Sequence, residues 1–156
     1  MTAGRNESVR AVLLTPTGDV LLMKIAGWRG DIWITPGGRI RPGEEPLAAL
    51  EREIAEETGL TGFRAGAEIW VRHATFVVNG EEKAERERFY LVPSDRFEPG
   101  TSNLEPAERA IFQEFRWWPI EEIARSKERF APRRLGELLQ ALQRDGPPPS
   151  PVETGE

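Results

Sequence analysis

The stretch from Gly38 to Leu60, GRIRPGEEPLAALEREIAEETGL, decides how this chain is read. Residues 45–58 contain no glycine, and Pro46 stands near their start, where a missing backbone N–H costs nothing. Gly59 follows, a residue suited to the left-handed conformation that ends a helix. The segment is therefore expected to be helical. At about 3.6 residues per turn, Leu47, Leu50 and Ile54 form one apolar stripe. Glu53, Glu56 and Glu57, related as i, i+3 and i+4, project together beside it.

That acidic face runs against local helix preference. Like charges four residues apart repel, and Glu56 and Glu57 also sit at the helix C-terminus, where the macrodipole disfavours anions. Arg52 can reach Glu56 one turn on and Glu44 in the preceding loop, but one guanidinium does not neutralise Glu44, Glu53, Glu56 and Glu57. A hard divalent cation would, because Mg²⁺ and Mn²⁺ prefer carboxylate and carbonyl oxygens. On the helix alone a solvated charged face is the usual meaning of such a glutamate pattern and the favoured reading. Upstream, Ile32-Trp33-Ile34 runs into Thr35-Pro36-Gly37-Gly38, and a second turn follows at Arg41-Pro42-Gly43-Glu44. Glycines allow close backbone approach, so a carbonyl of Gly37 or Gly38 is a candidate to join the carboxylates around a cation. Two ordinary turns would explain the glycines but not their spacing to the glutamates.

Gly38, Glu44, Arg52, Glu53, Ile54, Glu56, Glu57, Gly59 and Leu60 fill every slot of G-x5-E-x7-R-E-U-x-E-E-x-G-U, where U is a bulky aliphatic residue. In this the segment resembles the Nudix box of the Nudix hydrolase (MutT-like) family. The resemblance implies an α+β fold, an α/β/α sandwich with a mixed central β-sheet in which the box forms loop–helix–loop. It also implies hydrolysis of a nucleoside diphosphate linked to another group, X, by attack of water on phosphorus, with Mg²⁺ as cofactor and Mn²⁺ as substitute. Carried onto this chain, Glu53, Glu56 and Glu57 would hold metal with Gly37 and Gly38. Glu53, Arg52 and Glu57 would form the catalytic set, with Glu53 orienting or deprotonating the water, and Glu44 and Gly59 would support the site. Some family members recruit a further carboxylate from a distant loop. Glu105 and Glu108 are the candidates here, with a charged loop and helix cap as the alternative for both.

The remaining residues supply the scaffold. A chain of 156 residues with 38% hydrophobic content builds one domain with a real core, expected over residues 1–145. Alternating or continuous apolar runs predict strands at 9–14, 20–25, 32–34, 67–78, 87–92 and 112–118. Helices are expected at 120–125 and 132–144, the latter carrying Leu135, Leu138, Leu139 and Leu142 at helical spacing despite Gly136. Residues 146–156 form a Pro-rich polar tail expected to be disordered, since it has little apolar surface to bury.

Composition removes several function classes. The absence of cysteine rules out disulfides, thiolate metal sites and thiol catalysis, and it argues against one alternative, a Nudix-type isoprenoid diphosphate isomerase, whose chemistry in the resembling family uses a cysteine. The N-terminal residues lack the basic-then-apolar layout of a signal peptide, and no apolar run reaches the roughly 20 residues of a membrane span, so a cytoplasmic protein without membrane contact is expected. A net charge of −5 and a pI near 5.2 argue against extended nucleic-acid binding, although Arg133-Arg134 could grip a 5′-phosphorylated RNA end. The expected partner is a small nucleotide-type molecule, and a homodimer is one option for the assembly. Trp28, Trp33 and Trp70 are candidates to stack on a base, while Arg29, Arg39 and Arg41 could meet phosphates or ribose. Of these, Trp33, Arg39 and Arg41 are carried forward as substrate-binding candidates. His73, the sole histidine, lies in an alternating strand. A nucleotide sensor without turnover is the rival reading, and the intact glutamate set argues against it.

Overall fold

A computed structural model describes residues 6–27, 29–78 and 80–156, with backbone alone at 76–78. Nine strands and four helices occur among them: β1 (Asn6–Leu14), β2 (Asp19–Gly27), β3 (Gly30–Ile34), β4 (Gly37–Arg39), α1 (Pro46–Thr58), β5 (Glu68–Val78), β6 (Glu81–Pro93), α2 (Pro106–Ile111), β7 (Phe112–Pro119), α3 (Ile120–Arg125), β8 (Phe130–Ala131), α4 (Leu135–Asp145) and β9 (Val152–Glu153). The strands form one mixed sheet in the order β8-β3-β2-β1-β6-β5-β9, while β4 pairs with β1 and β7 with β2. The β1–β6 pair is parallel and the β5–β6 and β2–β7 pairs are antiparallel.

Two apolar layers follow from strand alternation. Val9, Ala11 and Leu13 of β1 face α1, where they pack with Leu21, Ala49, Leu50, Ile54 and Val92. Val12 turns to the opposite face, where Val20, Leu22, Trp70, Phe89 and Trp118 meet Ile120 and Ile123 of α3 and Leu135, Leu139 and Leu142 of α4. Helices therefore cover both faces, and the expected α/β/α layering of an α+β fold is present. No helix among the described residues is long and apolar enough to cross a membrane.

Several expectations are corrected. Leu47, on the first turn of α1, is half exposed, whereas Ala49, Leu50, Ile54 and Thr58 are buried where the helix packs on β1 and β4. Residues 106–111, to which no element was assigned from sequence, form the short helix α2 with Glu105 at its N-cap. The tail at 146–156 is not structureless: β9 adds to the free edge of β5 in parallel, pairing Val152 with Trp70 and Glu153 with Val71. The Thr154 N–H donates to the Val71 carbonyl at 3.0 Å, and the Arg133 N–H donates to the Glu156 carbonyl at 2.8 Å. An open sheet edge holds a polar segment through backbone hydrogen bonds, which an argument from apolar burial overlooks.

Candidate active site

The C-terminal half of α1 carries Glu53 and Glu57 inward, 8% and 4% exposed, onto β4. The Gly37 N–H donates to Glu57 Oε1 at 2.6 Å. A Cβ on Gly37, whose φ is 153°, would stand 2.0 Å from the Val9 carbonyl oxygen, and one on Gly38 would stand 2.4 Å from the Glu53 carboxylate. Only glycines let this backbone lie between β1 and the glutamates. The Gly37 carbonyl, considered from sequence as a cation ligand, instead accepts from Arg10 Nη1 at 3.3 Å. Gly59 ends α1 at φ 83°, its N–H donating to the Ala55 carbonyl at 3.0 Å.

Arg52 is the hub of the exposed side. Its Nε and Nη2 grip both oxygens of Glu44 at 2.8 Å, and its Nη1 donates to Glu53 Oε1, also at 2.8 Å. A further bond at 3.1 Å reaches the Arg39 carbonyl. These bonds from Arg52, joined by the Arg41 N–H, draw the Glu44 carboxyl down to a pKa of about 2. Glu44 in turn raises the affinity of Arg52 for its proton.

Glu108, on α2, completes the constellation. Glu53, Glu57 and Glu108 each place one carboxylate oxygen within 4.8 Å of the other two. Glu56, expected beside them, faces Arg52 at 3.5 Å and Arg41 at 3.9 Å. Helix geometry gives the reason: about 100° per residue sets Glu57 some 40° from Glu53 on the core side, and Glu56 some 60° away on the other. Burial pushes the Glu57 carboxyl well above its usual range and a hydrogen bond with Glu108 adds to this, while Arg10 and the Gly37 N–H oppose it. Glu53 is raised as well, first by burial, with Arg52 opposing. Glu105, the other extra-carboxylate candidate, caps α2, where its N–H donates to Glu108 Oε1 at 3.2 Å, and its side chain lies 3.7 Å from Arg41.

The model for the NUDIX domain matches residues 4–141. The chain belongs to the NUDIX family. It is a hydrolase, 27% identical over 154 residues to an RNA pyrophosphohydrolase of Psychrobacter sp. (strain PRwf-1), a match covering 89% of this chain and 87% of the relative. It is 28% identical over 123 residues to the nucleoside triphosphatase NudI of Salmonella newport (strain SL254), covering 77% and 86% respectively. Its fold is that of the MutT NUDIX hydrolase from Burkholderia pseudomallei, with a TM-score of 0.66 at 21% identity over 88% of this chain and 97% of the other.

This NUDIX fold also contains a cavity of about 1060 Å³, with Arg72 and Glu85 of β5 and β6 among its lining residues, together with Arg29, Glu128, Arg129 and Arg133. The Trp33 indole N–H donates to Glu128 Oε2 at 2.8 Å. Trp33 itself is 2% exposed and packed edge-on against Trp118, so it serves the core and not base stacking. Trp70 is buried against Phe89, and Trp28 lies outside the described residues. The Arg39 and Arg41 side chains are exposed, Arg41 beside Glu56 and Glu105. Arg133 lines the cavity, but Arg134 pairs with Glu137 at 2.8 Å. His73 lies 3.3 Å from Glu153 of β9. Arg10, which stands in the sequence only as a lone charge inside the apolar run Val9–Leu14, reaches the site through the carbonyls of Thr35 and Gly37, and neither it nor the cavity residues Arg72, Glu85, Glu128 and Arg129 were singled out from sequence.

Proposed function

We propose that this protein is a Mg²⁺-dependent pyrophosphohydrolase, with Mn²⁺ as substitute, cleaving a nucleoside diphosphate linked to a second group X by attack of water on phosphorus. The observation that carries this reading is the convergence of Glu53, Glu57 and Glu108 within 4.8 Å. The donor set fits a hard divalent cation, being all oxygen and largely buried, with Glu57 held above its usual pKa by a desolvation cost that a nearby positive charge offsets. When bound, such a cation supplies charge neutralisation at phosphate oxygens and an acidified water.

The chain's own residues divide the remaining work. Glu53, Glu57 and Glu108 hold the cation, with Glu56 beside them and tied to Arg52 and Arg41. Arg52 fixes the orientation of Glu53 through Oε1, and Glu44 fixes Arg52 through both of its oxygens. Glu53, its carboxylate fixed by Arg52, is the box residue suited to orient or deprotonate the attacking water. Gly37 holds Glu57 through its N–H, leaving the Gly38 carbonyl as the glycine candidate for the cation. The cavity on the other side of the sheet is charged as well, with Arg72, Arg129 and Arg133 suited to phosphate or carbonyl oxygens and Glu85 and Glu128 to amino or hydroxyl groups. The names of the two relatives point toward nucleotides, as a free triphosphate or at an RNA 5′ end.

The test is a screen with Mg²⁺ of nucleoside triphosphates, 5′-triphosphorylated RNA, nucleotide sugars, ADP-ribose, NADH and dinucleoside polyphosphates, reading released phosphate, pyrophosphate or monophosphate. Turnover of at least one class, lost with chelator and restored by Mg²⁺ or Mn²⁺, is expected. A confirmed substrate cleaved at full rate in chelator would overturn the reading.

A further inference from the structure

On the sheet face opposite α1, strand alternation brings Ser8 and Arg10 of β1, Glu85 and Glu87 of β6 and Arg72 of β5 together beyond the apolar residues that α3 and α4 cover. This polar end of the sheet is poorly suited to stability. Glu87 is 7% exposed, and two of the three buried side-chain polar atoms without a hydrogen bond among the described residues, Arg72 Nε and Thr35 Oγ1, lie in this neighbourhood. Burying such charges is costly and is often bettered by apolar packing, so their presence calls for another reason.

The bonds form a continuous chain. Arg72, which lines the cavity, donates from Nη1 to Glu87 Oε1 at 2.5 Å. Glu87 Oε2 accepts from Arg10 Nε at 3.0 Å. Arg10 Nη1 then donates to the carbonyl oxygens of Thr35 at 3.2 Å and Gly37 at 3.3 Å. The Gly37 N–H, in turn, holds Glu57. Residue 37 is thus gripped at its carbonyl by Arg10 and grips Glu57 through its N–H. Its missing side chain is what allows the close contact with β1 that brings it within reach of Arg10.

We propose that Arg10 is a positioning residue for the acidic cluster, acting through the Gly37 backbone on Glu57, and that Glu87 and Arg72 anchor it to the cavity. The inference rests on the reading of Glu53, Glu57 and Glu108 as a cation site. Its discriminating feature is sign. As a nearby positive charge, Arg10 repels a cation, so a purely electrostatic role predicts that removing it tightens cation binding. As a positioning residue, its removal frees Gly37 and Glu57 and weakens binding.

The experiment is titration of the full chain with Mn²⁺ alone, reading free Mn²⁺ by its paramagnetic resonance signal, for wild type, Arg10→Met, Arg10→Lys and Glu87→Gln. Melting curves in chelator establish that each variant is folded. The expected result is a dissociation constant raised about tenfold or more by Arg10→Met. Arg10→Lys, which keeps the charge but loses the forked geometry, raises it too, and Glu87→Gln moves it in the same direction. Should Arg10→Met fail to fold, Arg10→Lys carries the test, because Glu87→Gln removes a negative charge and weakens cation binding under either role. Wild-type affinity or tighter in the folded Arg10 variants overturns the positioning role and leaves the cation site standing. A wild type that binds no Mn²⁺ overturns the cation site and this inference with it.

Discussion

Glu57 concentrates the chemistry of the site in one side chain. Its folded-state pKa is raised, so the folded protein binds a proton that the unfolded chain releases, and charging Glu57 at neutral pH opposes folding. The metal-free protein should therefore become more stable as pH falls through the folded pKa of Glu57 toward the ordinary value of 4.5. Glu44 has the opposite sign: the stability it contributes is present above 4.5 and is lost as pH falls toward about 2. Melting curves in chelator across this range check both, and saturating Mg²⁺ should abolish the gain on mild acidification. Arg52→Met should lower activity about 10- to 100-fold by releasing Glu53 and Glu44, a loss that a turnover assay on a confirmed substrate measures. Sequence spacing made Glu44, Arg52, Glu53 and Glu57 legible because helix period and loop length fix them locally. Glu108 was legible only as a carboxylate in a distant segment, since its approach to Glu57 depends on how α2 docks. Arg10 was hidden because its role arises from contacts across strands.

Among the elements, α1 was legible from Pro46 to Gly59 because its start and stop signals and its apolar spacing agree. The strands with apolar alternation were legible for the same reason, with ends shifted by a few residues. The outer half of β6, from Glu81, was missed because charges occupy both of its faces and it is held as a strand by pairing with β5. β4, β8 and β9 were missed because two or three residues carry no readable period and are ordered by a neighbouring edge. The tail furnishes an element-level prediction. Truncation after Asp145 removes β9 and uncovers the edge of β5, which should cost about 1–2 kcal/mol and lower the melting temperature by about 3–6 °C. Size-exclusion chromatography of the truncated chain should also show more self-association than the full chain, as expected of an uncovered edge. An unchanged melting temperature would mean that β9 contributes nothing to stability.

The whole molecule places a buried acidic cluster on the α1 side of the sheet and a charged cavity on the other, joined through β4 and the ion-paired side chains behind it. The family's fold is shared by enzymes with different substrates, so the layering identifies the scaffold, and the cluster and cavity carry the chemistry. The working carboxylates proposed are Glu53, Glu57 and Glu108, with Glu56 outside the trio. The most direct test is the Mg²⁺-dependent rate on a confirmed substrate for Glu56→Gln, Glu57→Gln and Glu108→Gln, each checked for folding by its melting curve. Glu57→Gln and Glu108→Gln should lose about a hundredfold or more of the rate, and Glu56→Gln about tenfold or less. A Glu108→Gln variant with wild-type turnover, beside a Glu56→Gln variant as impaired as Glu57→Gln, would contradict the account.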